Sequence, residues 1–577
     1  MKEYSPYKEY SPYKDVRILI NERVAMRDGV RLATTVYLPV EGDAFPVVLV
    51  RMAYNRQHFN YVAREFVKRG IALVVQDTRG RYGSEGHFYP FDCEQNDGLD
   101  TLDWLAQQAW CNGRAGMYGD SYMGAVQFAV APANHPLLCA LNPRFIPGDT
   151  WQHGYYFDGV YSLGLTFSWL VLEVNSSVTE SYLLPFYDIP GVLRQLPLGT
   201  LDEKMGCRPS PAFRNCLKHE TVDEHWDAWR WRDSLYQTTI PMLMTGGWYD
   251  YYAGDAFLNF QALQAAPDPQ VAASHRIIVG PWTHGIRGTA QLGELDFGAT
   301  ATAEDDHHVR WLECLLKGGS TADFQAAPIR IFVMGENLWR DEWEWPLKRT
   351  EFTPFYFHGD GAAHSGLLSR ESPTNERPDS YIYDPDNPVP TTGGNHSVGD
   401  YNPGLYEICL PGPYEQSRVE TRDDVLVYTS EPLTEDMEVT GPVIIKLCAA
   451  SSAPDTDWVG RLCDVYPDGR SFNITEGVIR ACFQERDWRN PKPIEPGRIY
   501  EYTIDLQATS NVFKAGHRIR VQITSSNFPL WARNLNTGAP VATGDTFQPA
   551  HQTIHHDETH PSHIILPLIP PAHSSDG

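Results

Sequence analysis

A serine held between small residues where a strand turns into a helix is a candidate nucleophile, and Gly119-Asp120-Ser121-Tyr122-Met123-Gly124 offers one. In the G-x-S-x-G elbow the backbone bends so sharply that only small neighbours let the strand and helix approach, and the serine is held strained and exposed. Here Gly119 precedes the serine by two, while the second small residue is displaced by one position, to Gly124, with Ala125 behind it. Taken alone, the motif also describes, as the lesser reading, a glycine-rich strand-to-helix turn without chemistry. A serine nucleophile also needs a base and an acid that orients the base, arriving on later loops in the order serine, acid, histidine. Asp250 follows the apolar run Ile240-Pro241-Met242-Leu243-Met244 through Gly247-Trp248-Tyr249, and His284 follows Ile277-Ile278-Val279 through Gly280-Pro281-Trp282-Thr283. Asp255 and His275 are weaker rivals, since Asp255 lies further along the next helical stretch and His275 precedes its strand, at the wrong end of a sheet. For the developing oxyanion, the backbone N–H of Tyr122 is one candidate donor. The hydroxyl of Tyr54, just beyond the run Pro46-Val47-Val48-Leu49-Val50, is a second, although a tyrosine there more often only packs.

These residues need a scaffold, and the hydrophobic pattern describes one. An Asp28-Gly29 turn between Val24-Ala25-Met26 and Val30 to Tyr37 predicts a hairpin. Continuous apolar runs at 46–50 and 71–75 read as strands buried on both faces, separated by a helical stretch from Tyr61 to Arg69 that stops at Gly70. Leu99, Leu102 and Leu105 have helical spacing, and Met117-Tyr118 ends a strand ahead of the serine turn, with Tyr122 to Ala133 continuing as helix. The expectation is a mostly parallel sheet with helices on both sides. Between residues 146 and 239 this rhythm is lost in favour of helical spacing around Leu163 to Val174 and many aromatics, which predicts a helical cap inserted into the sheet domain. Beyond residue 350, short alternating strands such as Val443 to Leu447 and His517 to Ile523 recur among Pro and Gly turns, as in an antiparallel β-sandwich. The division is therefore 1–145 and 240–350 for the sheet domain, 146–239 for the cap and 351–577 for the sandwich.

Bulk properties exclude several classes. A chain of 577 residues is too long for one core. Its formal net charge of -26, spread along the sequence, offers no basic stripe for a nucleic-acid backbone. Ten scattered cysteines lack metal-ligand spacing and read as free thiols. No apolar run is long enough to span a bilayer, and the start of the chain has no apolar signal-peptide core, which together with the free thiols favours the cytoplasm. The first residues duplicate a hexapeptide, Lys2 to Tyr7 and Lys8 to Tyr13, which reads as a leader and not as a repeat fold. Asp77, Arg79 and Glu85 form a charged turn read as structural. His551, His555, His556, His560 and His563 raise a metal site, but without a convincing cysteine or carboxylate partner the expectation is no metal.

Several segments together resemble the family of cocaine esterase and glutaryl-7-aminocephalosporanic acid acylase, related to X-prolyl dipeptidyl-peptidases and α-amino acid ester hydrolases. They are Asp77 to Gly86, Gly119 to Gly124, Gly247 to Asp250, Gly280 to His284, Gly516 to Arg520 and Ser525 to Pro529, and the likeness extends over nearly the whole chain. The resemblance implies an α/β-hydrolase domain with an inserted helical cap and a C-terminal jelly roll. It implies Ser121, Asp250 and His284 as the triad, and Tyr54 with the Tyr122 N–H as the oxyanion hole. The chemistry implied is hydrolysis of a small ester or amide through an acyl-enzyme, without cofactor. An acyltransferase using the same triad, an X-Pro-type dipeptidyl-peptidase and a non-catalytic binding protein are the alternatives, and a homodimer stays open. Two departures narrow the substrate. Asp250 is followed by Tyr251, Tyr252 and Ala253 and not by the acids with which the α-amino acid ester hydrolases hold an ammonium. The chain also lacks room for the extra N-terminal domain of the large X-prolyl peptidases. A neutral or aromatic acyl group is expected, with Trp151, Tyr155, Phe167, Trp169 and Trp248 as pocket walls.

Overall fold

The computed structural model describes residues 16–175, 188–286, 288–359, 366–396 and 409–571. The duplicated hexapeptide lies outside them. Strands β1 (Val16–Ala25) and β2 (Arg31–Pro39) form the expected hairpin. They lead into β3 (Phe45–Met52), β4 (Ala72–Asp77), β5 (Cys111–Asp120), β6 (Leu138–Arg144), β7 (Leu243–Gly247) and β8 (Arg276–Gly280), and a terminal hairpin of β9 (Ile329–Val333) and β10 (Leu338–Glu342). In space the order is β1-β2-β4-β3-β5-β6-β7-β8-β9-β10, with the seven strands from β4 to β9 in this order mutually parallel and β1, β2 and β10 antiparallel to their neighbours.

The alternation of strand side chains splits the core in two. Val47 and Leu49 pack with α2 (Glu94–Ala106) and α3 (Tyr122–Val130) on one face. Val48 and Val50 pack with α1 (Asn60–Val67) and the later helix His307–Leu316 on the other. Runs buried on both faces are what a parallel sheet flanked by helices requires. The strand ends at Asp120, Gly247 and Gly280 therefore meet at one edge of the sheet, the position where such folds assemble sites.

After β6 the chain leaves the sheet, makes a small hairpin (Tyr156–Phe157 with Val160–Tyr161), and forms a set of short helices before returning at β7. This segment sits over the serine turn. Helix α4 (Ala253–Gln264) follows β7 and helps carry it. The second sheet starts at Glu351, has eleven strands among the described residues and is almost wholly antiparallel. Its long central strand Met437–Ser451 pairs with Tyr500–Phe513, Ala550–His555 and His563–Ile569 around a separate apolar core. All ten cysteines are free, though six of them are only half-buried. No helix among the described residues is long and apolar enough to cross a membrane.

Candidate active site

Ser121 sits between β5 and α3 with φ 55° and ψ −121°, a left-handed conformation that side-chain-bearing residues seldom adopt. Its N–H donates to the Arg144 carbonyl at the end of β6, and its carbonyl accepts from Gly124 and Ala125, which starts α3. The displaced second glycine has a steric reason. Gly119, at φ 148°, could carry no side chain, because a Cβ there would lie 2.2 Å from Cβ of Met123. Gly124 in turn lies against the end of β6, where a Cβ would come within 3.1 Å of Ile146. The small residue is thus needed at the position that touches β6, one further than in the regular elbow.

His284 and Asp250 come from the loops after β8 and β7. The imidazole Nδ1 lies 2.8 Å from Asp250 Oδ1, and both side chains are buried. Burial pushes the Asp250 carboxyl up from its ordinary range, opposed by His284 and by the backbone N–H groups of Tyr252 and Tyr251. The rings of Tyr251, Tyr252 and Phe145 meet that of His284 at centroid distances of 5.7, 5.5 and 6.1 Å. These three packing partners escaped sequence reasoning, which read the two tyrosines only as absent acids. Ser121 and His284 line one cavity of about 500 Å³, mostly apolar, together with Tyr54 and Tyr122.

Both candidate oxyanion donors are held from behind. The Tyr122 hydroxyl donates to Glu94 (2.6 Å), which is ion-paired to the buried Arg51 at 2.6 Å. The Tyr122 N–H opens α3, where a helix leaves its first N–H groups without an internal acceptor. Tyr54 Oη accepts a hydrogen bond from the indole N–H of Trp169 at 3.1 Å. Because indole can only donate, the phenolic proton of Tyr54 points in another direction.

Of the five aromatics expected as pocket walls, Tyr155 and Trp169 line the cavity. Trp151, Phe167 and Trp248 do not. Trp248 is fully buried beyond β7, donating to the Phe332 carbonyl at 2.7 Å and packed beside the stacked rings of Phe257 and Trp345. Trp151 is stacked on Tyr156 and faces Phe483 and Trp488 of the sandwich, while Phe167 packs edge-on against Phe213 within the cap. Large apolar rings at these positions fill cores, and composition does not separate a core ring from a wall ring. The wall has members that the sequence reading passed over, including Phe91, Leu165, Ser168 and Glu173.

The rivals have other duties. Asp255, on α4, accepts from the Gly148 N–H and pairs with Arg232 and with His153 (2.7 Å). His275 is buried at the opposite end of β8. Asp77, Arg79 and Glu85 form the structural turn expected of them: Asp77 holds Arg56, Arg79 bridges Asp97 and Asp28 at 2.6 and 2.7 Å, and Glu85 accepts from the Arg31 N–H. At the sandwich hairpin, His555 and His560 lie together with one carboxylate, Asp557. Asp557 also accepts the N–H groups of Thr559 and His560 and so closes the turn.

Comparison with known proteins agrees with this anatomy. Residues 28–286 match the family model for X-Pro dipeptidyl-peptidase (S15 family), and residues 322–565 match that for the X-Pro dipeptidyl-peptidase C-terminal non-catalytic domain. The cocaine esterase of Rhodococcus sp. (strain MB1 Bresler) is 37% identical, over 95% of this chain and 98% of that protein. Among solved structures, an aminopeptidase from a Thaumarchaeota archaeon superposes with a TM-score of 0.84 at 26% identity, covering 96% of this chain and 97% of its own. An α-amino acid ester hydrolase does so with a TM-score of 0.83 at 25% identity and the same coverage.

Proposed function

This chain belongs to the serine hydrolases of the X-Pro dipeptidyl-peptidase (S15) family, the group that includes cocaine esterase, and on that basis we propose that Ser121, His284 and Asp250 are its catalytic triad. As a serine hydrolase acting on ester bonds, it needs a nucleophile, a base and an oxyanion site around one carbonyl. The observation that carries the assignment is the joining of the strained Ser121 turn and the His284–Asp250 pair at one cavity. With Nδ1–H donated to Asp250, His284 keeps a lone pair on Nε2 to take the Ser121 proton as Oγ attacks the acyl carbon. The tetrahedral oxygen is met by the Tyr122 N–H and the Tyr54 hydroxyl. Collapse of the tetrahedral species expels the alcohol, to which His284 returns the proton, and water repeats the sequence on the acyl-enzyme. The substrate is a small ester, or an amide of similar shape, sized to the cavity.

The test is a panel of p-nitrophenyl esters with wild type and Ser121→Ala, alongside labelling by a fluorophosphonate probe. We expect turnover and labelling to vanish together in the variant, with unchanged circular dichroism. Labelling that survives in Ser121→Ala would sink the assignment.

A further inference from the structure

Glu173 brings a carboxylate into the wall of the catalytic cavity. It closes a wide π-type turn of the cap, Ser168–Glu173, in which the Val174 N–H reaches back to the Trp169 carbonyl. Four residues after Trp169, it lies on the same face of that turn, and both line the cavity. The group lies deep in the protein, yet part of its surface remains open to the cavity. Among the described residues its carboxylate makes no hydrogen bond or ion pair. Arg81 is the nearby cation, but its guanidinium donates to the carbonyl oxygens of Ala53 and Val174, both at 2.9 Å, and of Glu173 at 3.5 Å.

The rest of the wall favours positive charge. Among the described residues it includes no lysine or arginine. Asp120, the other lining carboxylate, accepts from Arg144 at 3.0 Å and is neutralised. Tyr155, Trp169 and Tyr252 line the cavity, and the π-face of such a ring attracts an ammonium. The chain as a whole carries -26 charges, which draws cations toward it. A carboxylate so placed needs a compensating cation or a proton. Burial accordingly pushes Glu173 up to about 7, against the pull of Arg81 and His284.

We propose that Glu173 anchors a positively charged group of the substrate, so that the enzyme favours esters carrying an ammonium over their neutral isosteres. This rests on Ser121 as the nucleophile of the same cavity, and it replaces the acids missing after Asp250 with one from the cap.

The test compares kcat/KM within two isosteric pairs. Butyrylcholine against 3,3-dimethylbutyl butyrate puts the charge in the leaving group, and phenyl 4-(trimethylammonio)butanoate against phenyl 5,5-dimethylhexanoate puts it in the acyl group. We expect a preference of about 10- to 100-fold for the cationic member of at least one pair. The ratio should fall toward one in Glu173→Gln and be largely retained in Glu173→Asp, a contrast that general loss of structure would not produce. No preference in either pair, or a preference that survives Glu173→Gln, overturns the proposal. Binding without turnover gives a second readout: benzyltrimethylammonium should slow fluorophosphonate labelling of Ser121 in wild type but not in Glu173→Gln, and equal slowing overturns the proposal. Loss of labelling altogether would instead sink the nucleophile assignment, leaving calorimetric titration of benzyltrimethylammonium into both proteins to decide the cation site.

Discussion

Trp169 donates to the oxygen of Tyr54, and Glu94 accepts from the hydroxyl of Tyr122, so each proposed oxyanion donor is oriented by a partner outside the reacting centre. Preorganised donors cost no rearrangement when charge develops, which is why losing one is felt in the chemical step. Tyr54→Phe should therefore lower kcat by about 100- to 1000-fold with little change in KM, if the hydroxyl meets the oxyanion only in the transition state. Steady-state kinetics on a p-nitrophenyl ester would decide this. A raised KM at unchanged kcat would make Tyr54 a wall residue only. Tyr54 was visible in the sequence as a tyrosine after a strand. Its orientation was not, because Trp169 lies 115 positions away and only folding brings its indole to the phenol.

At the level of elements, the cap is tied to α4 by a buried charge cluster in which Arg232 and His153 share Asp255. Burial opposes the Asp255 charge, but Arg232 and then His153 outweigh it and hold the carboxyl below its usual range. His153 responds in the opposite sense: burial works against its charge, while Asp255 raises its pKa above the ordinary imidazole value. A depressed acid contributes stability above its unfolded value near pH 4, lost as pH falls toward the folded value. A raised histidine contributes below its unfolded value of about 6.5, and that contribution is lost as pH rises through the folded value. The cluster should thus stabilise most between about pH 4 and 6.5. Asp255→Asn should cost about 3 kcal/mol, since it leaves the buried His153 and the half-buried Arg232 without their carboxylate. Urea unfolding of both proteins across that range would show the largest difference inside the window; a difference independent of pH would remove the charge explanation. The sequence presented Asp255 only as a weak rival acid, because nothing local indicates that cations 23 and 102 positions away in the cap converge on it.

Across the whole molecule, the cap is clamped between the sheet domain and the sandwich. Trp151 faces Phe483 and Trp488, Asp158 is paired with Arg486 at 3.1 Å, and the Tyr249 hydroxyl donates to the Asn473 carbonyl. Phe483, Phe528, Leu530 and Trp531 from the sandwich belong to the same apolar core as the cap and one face of the first sheet. A face of this kind is stable in water only when covered. Residues 1–350 expressed alone should be poorly soluble and bind a hydrophobic dye, whereas the full chain should not. A soluble, esterase-active fragment would show that the sandwich is dispensable for the site.

The sequence by itself determined the local and the ordered. Small residues around Ser121, an acid and a base each placed beyond a buried run, and apolar runs of strand length are all short-range signals, because steric demand at a turn and burial on both faces act on neighbouring residues. They were enough to single out the Ser121 turn as a candidate, and to give the alternation of strands and helices and the all-β C-terminal domain. Which aromatics line the cavity was decided by tertiary structure, since Trp248 and Trp169 are alike in composition and differ only in what packs over them. The same holds for the charge of the cavity. Glu173 stood in the sequence as a lone acid at the end of an apolar helical stretch, and only the tertiary fold places it in the wall of the cavity that Ser121 lines.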